Sequence, residues 1–133
     1  MKTVLVTLSV MNMLMGLFLV GLFAFTDNNP VVVLILALGL LIQGGFTLAY
    51  MSGRLRRAEP WPTHALLAGS TLALLVGAGG LLFSVINQLS FDNTDPEYGP
   101  MAVAGLITAH AVAALYLYAV RGGAIRIESP TLD

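Results

Sequence analysis

The sequence predicts an all-α integral membrane protein, with four transmembrane helices in one antiparallel bundle and both termini on the cytoplasmic side. Three observations predict it. Of the 133 residues, 57% are hydrophobic and 10% charged, where soluble domains carry roughly 25% charged residues; the mean hydropathy is +0.87. The apolar residues gather into four uncharged runs, each of the roughly 20 residues needed to cross a hydrocarbon layer of about 30 Å at 1.5 Å per residue. Finally, Lys2, Arg54, Arg56, Arg57, Arg121 and Arg126 all fall on one side of the map those runs define, and the positive-inside rule puts that side in the cytoplasm.

The first span is expected at 3–25. Lys2 followed by an apolar run resembles a secretory signal in outline, but a signal's apolar core is usually about 7 to 15 residues, so an uncleaved span is expected. Asp27-Asn28-Asn29-Pro30 is turn chemistry, with Asn29 as a candidate N-cap and Pro30 at the first helical position, where its missing N–H costs nothing. The second span, 30–51, stops at Ser52-Gly53, ahead of the densest basic cluster. Pro60-Trp61-Pro62 opens the third span, 61–88. An acidic turn, with Asp92, Asp95 and Glu97, leads to the fourth span, 101–120, which Gly122-Gly123 would cap through a left-handed residue. A tail, 122–133, completes the single domain, 1–133. Tyr50, Trp61, Tyr116 and Tyr118 are expected near the cytoplasmic boundary, as an aromatic belt.

Composition excludes several classes. A net charge of -1 leaves no basic surface for a nucleic-acid backbone. No cysteine is present, so disulfides and thiolate-bound metals are out. No charged residue lies within a span, whereas pumps and proton-coupled antiporters usually hold a carboxylate near mid-bilayer. Nucleophile elbows, Walker loops and His-Glu-x-x-His are absent, and catalytic activity is not expected.

What remains is intramembrane polarity and small residues. His110 is the central polar residue of the fourth span. As a neutral imidazole it would bond across the bundle to a neighbour such as Asn12 or Gln43, or serve as a haem or quinone contact. Asn12 and Gln43, at mid-depth on adjacent antiparallel spans, are expected to bond to one another. Ala65, Gly69, Ala73 and Gly77 recur every four residues, a small-xxx-small seam that lets helices approach closely.

The leading functional expectation is a small non-catalytic accessory subunit of a larger membrane complex, of respiratory or photosynthetic type, in the inner or plasma membrane. Its partners would be other integral membrane subunits, met through the small-residue face of span 3 and the C-terminal tail, together with lipids; no cofactor is expected. A second reading is a homo-oligomeric channel or transporter with a path between copies lined by Asn12, Gln43, Thr108 and His110. A third is a redox subunit binding haem or quinone at His110.

Overall fold

The computed structural model of the protein describes residues 2–25, 31–55, 60–90 and 98–120. They form four helices: α1 Lys2–Phe25, α2 Val31–Met51, α3 Pro60–Ser90 and α4 Tyr98–Leu115, the last running into a π-helical turn, Tyr116–Val120. All four are long and apolar enough to cross a membrane. The expected N-cap at Asn29, the glycine pair at 122–123 and the tail lie outside the described residues.

Two helix starts differ from the sequence reading, for one reason. α3 begins at Pro60 and α4 at Tyr98, so Pro60 and Pro100, expected just ahead of their helices, sit inside first turns, as Pro62 does. The first N–H groups of a helix have no intrahelical acceptor, so proline is tolerated there. α3 is 31 residues long, about 46 Å at helical rise, which exceeds the roughly 30 Å of a bilayer's hydrocarbon core.

The end of α2 follows the expectation closely. Gly53 takes φ +77°, Arg54 N donates to Ala49 O at 3.1 Å, and Gly53 N donates to Tyr50 O at 3.2 Å. This paired arrangement is a Schellman cap, which places a glycine in the left-handed region.

The four helices pack as two hairpins. α1 lies along α2 and α3 along α4 over much of their lengths, α1 and α4 join the hairpins, and α2 barely touches α3. Glycines set both hairpin seams. A Cβ on Gly16 would stand 2.9 Å from Ala37 O, and one on Gly44 2.6 Å from Ser9 O; a Cβ on Gly77 would stand 2.9 Å from Thr108 N in α4. Such approaches raise van der Waals contact, the main attraction left between helices when lipid is as apolar as leucine.

Burial is inverted relative to a water-soluble domain. Leu14, Phe18, Ile42, Leu75 and Phe83 are exposed, whereas Ser9, Asn12, Thr47, Ser70 and His110 are at most 2% exposed. In lipid this is the stable order, because a polar group needs a protein partner there and an apolar one does not.

At the end carrying Lys2 and Arg54, all four helices and the π-helical turn meet in a cluster of Leu5, Tyr50, Leu66, Ala113, Ala114, Leu117 and Tyr118. Tyr50 and Tyr118 are among the most buried side chains and stack edge to face, centroids 5.2 Å apart at 89°, a favoured geometry for two ring quadrupoles. All four aromatics lie toward this end of the bundle, but they divide by direction: Trp61 and Tyr116 are exposed, while Tyr50 and Tyr118 turn inward. The wider repeat of the π-helical turn carries the chain through Leu117 and Tyr118, both inside the cluster.

Candidate functional site

The interior polar residues come together at the centre of the bundle. Ser9 and Asn12, three residues apart, share the inward face of α1. Ser9 Oγ donates to Leu5 O at 2.7 Å and lies 2.9 Å from His110 Nε2. A serine hydroxyl has one hydrogen. With that hydrogen on the Leu5 carbonyl, Ser9 accepts from His110, so the imidazole is the Nε2–H tautomer and Nδ1 carries a bare lone pair.

One turn further along α1, Asn12 Nδ2 donates to Gln43 Oε1 at 3.1 Å, the pairing expected from the sequence. Gly44 makes it reachable, since the missing Cβ lets the α2 backbone close on Ser9 and Asn12. Thr47 Oγ1 donates to Gln43 O at 2.7 Å, using its hydroxyl within α2. Three buried atoms of this group have no hydrogen-bond partner among the described residues: Asn12 Oδ1, Gln43 Nε2 and His110 Nδ1.

His110 therefore bonds to Ser9 and not to Asn12 or Gln43. Ser9 escaped notice because a lone serine in an apolar span is commonly absorbed by its own helix; the available signal was its i, i+3 spacing to Asn12. Thr108 stands apart, its hydroxyl donated to Ala104 O at 2.8 Å. A haem iron or quinone oxygen would find only Nδ1 of His110 free, on a fully buried ring. Among the described residues no three His, Asp or Glu side chains gather as a metal site would require. His64 is exposed near the start of α3.

The small-residue seam of α3 divides. Gly77 is buried against α4, while Ala65 and Gly69 are exposed and Ala73 is half-buried. The reason is helical geometry: four residues advance about 400°, so each step drifts about 40° and the seam turns roughly 120° between Ala65 and Gly77. Ala65, Gly69 and Ala73 line an open groove of about 510 Å³ between α2 and α3. Ile35, Gly39, Ile42 and Phe46 form much of its opposite wall, with Gln43, Thr47 and Ser70 at its floor. The lining runs over Ile35–Thr47 on α2 and Ala65–Val76 on α3, about three helical turns. At the basic end the two helices are tied by Tyr50 and Thr63, whose hydroxyl oxygens are 2.6 Å apart, and by the tilted pair Phe46 and Trp61.

No protein-family model, curated protein or solved structure matches the chain.

Proposed function

We propose that the chain is a non-catalytic, multi-pass subunit of a larger assembly in the inner or plasma membrane, and that a transmembrane helix of a partner subunit beds in the groove between α2 and α3. One observation carries this reading: Ala65, Gly69 and Ala73 put small residues along the α3 wall of the groove over about three turns, and among the described residues the groove stands open. A helix laid there approaches the α3 backbone at Gly69 as closely as α4 approaches it at Gly77. Lipid chains fill such a channel less completely than a complementary helix, and van der Waals contact is what stabilises helix association in a bilayer. The orientation we propose has both termini and the Ser52–Pro60 connection in the cytoplasm, supported by the six basic residues at that end.

The interior polar set supports this over a path between copies. Asn12 and His110 are fully buried within one chain, whereas a path between copies needs its polar groups on an outer face.

The test is extraction of the native protein in mild detergent, size separation and mass spectrometry of the peak, combined with a photo-crosslinking residue at Leu72 or Ile35 in the groove and at Phe18 as an outer-face control. Stoichiometric co-migration with other membrane subunits, with crosslinks to one of them from Leu72 or Ile35 and not from Phe18, is the expected result. A chain that migrates alone or only with copies of itself overturns the reading.

A further inference from the structure

We propose that the centre of the bundle is a hydration site, holding an internal water between Asn12 Oδ1, Gln43 Nε2 and His110 Nδ1. It rests on hydrogen-bond accounting at these residues and not on the partner reading above.

The three orphaned atoms are two acceptors and one donor. A water molecule donates two hydrogens and accepts at least one, so a single water complements the set; buried waters typically make about three hydrogen bonds. The atoms belong to one neighbourhood. His110 is bonded to Ser9, Asn12 lies one turn from Ser9 on the same helix face, and Gln43 is bonded to Asn12.

The deficit does not depend on how the side chains are turned. Rotating both amides replaces the Asn12 Nδ2–Gln43 Oε1 bond by one from Gln43 Nε2 to Asn12 Oδ1, and again strands one donor and one acceptor. Turning the imidazole has no better result. Ser9 has committed its hydrogen to Leu5 O and can only accept, so one ring nitrogen must face it as N–H and the other is left bare. Hydrocarbon offers no donor for that nitrogen, and a small molecule that both donates and accepts does.

The hydrogen-bond string runs from the water through His110 to Ser9 and ends on the Leu5 carbonyl, which has no proton to pass on. The site therefore ties α1, α2 and α4 in register and does not conduct protons along that string.

The experiment is water-edited solid-state NMR on the full chain, labelled at histidine and asparagine and reconstituted in phospholipid vesicles. Polarisation starting on water is expected to reach the His110 ring nitrogens and the Asn12 side-chain amide as well as the exposed His64, and the His110 nitrogen shifts are expected to report an Nε2–H tautomer with a hydrogen-bonded Nδ1. Transfer to His64 with none to His110, or an Nδ1 shift of an unbonded lone pair, overturns the proposal. In the Asn12→Leu, Gln43→Leu double variant, transfer to His110 is expected to fall to background while the Ser9–His110 contact persists; undiminished transfer with that contact intact overturns it too.

Discussion

Gly44 sets the distance between the first two helices, and its environment makes a sharp contrast with its neighbour. A Cβ at Gly44 would press on the Ser9 carbonyl and on Met13, whereas one at Gly45 would meet nothing. Gly44→Ala is therefore expected to destabilise the bundle by about 1–3 kcal/mol, as overpacked interiors do, and to weaken the Asn12–Gln43 bond. Gly45→Ala should be neutral or stabilising by up to about 1 kcal/mol, since alanine is the better helix former. Reversible unfolding in detergent measures both, and equal effects would contradict the packing described. A double-mutant cycle on Asn12 and Gln43, each changed to alanine, should give a coupling of about 0.6–2 kcal/mol; a coupling near zero would show that the pair does not form.

Between elements, the division of the α3 seam lets the proposed assembly be tested apart from folding. Gly77→Leu drives a branched side chain into α4 at Thr108 and Ala104, and should lower stability by several kcal/mol or prevent folding. Ala73→Leu only fills part of the groove, so the chain should fold with near-normal stability while losing co-migration with its partner. If both variants fold and both keep the partner, the groove is not the contact. The sequence showed the spacing of these residues but not the division, because a four-residue repeat drifts around the helix. Which way each residue faces depends on where α2 and α4 stand. α4 itself offers no polar stripe to read, as its 18 residues are apolar nearly all round.

For the molecule as a whole, span number and approximate ends were legible because hydropathy and length are one-dimensional properties that the bilayer thickness turns into boundaries. The Asn12–Gln43 pair was legible for a similar reason, both residues lying near the middle of adjacent helices. The partner of His110 was not, since depth alone permits several residues and only the α1–α4 crossing selects Ser9. Orientation is tested directly in this cysteine-free chain. Single cysteines placed at Asn28 or Asn93 should react with an impermeant maleimide from outside intact cells, and one placed at Ser52 only after permeabilisation. The reverse pattern would invert the topology.

The pairing of helices also has a consequence for how the chain is made. Each hairpin closes its own glycine seam, α1 on α2 through Gly16 and Gly44 and α3 on α4 through Gly77, before the two need to meet. The halves are therefore expected to behave as separable units of synthesis. A gene interrupted between the codons for Arg57 and Ala58 should yield two fragments that insert independently and find each other in the bilayer, joined by Ser9 with His110 and by the Tyr50–Tyr118 stack. Co-purification of the fragments would mean that the connecting peptide serves delivery, and that recognition between the hairpins is written wholly in their facing side chains.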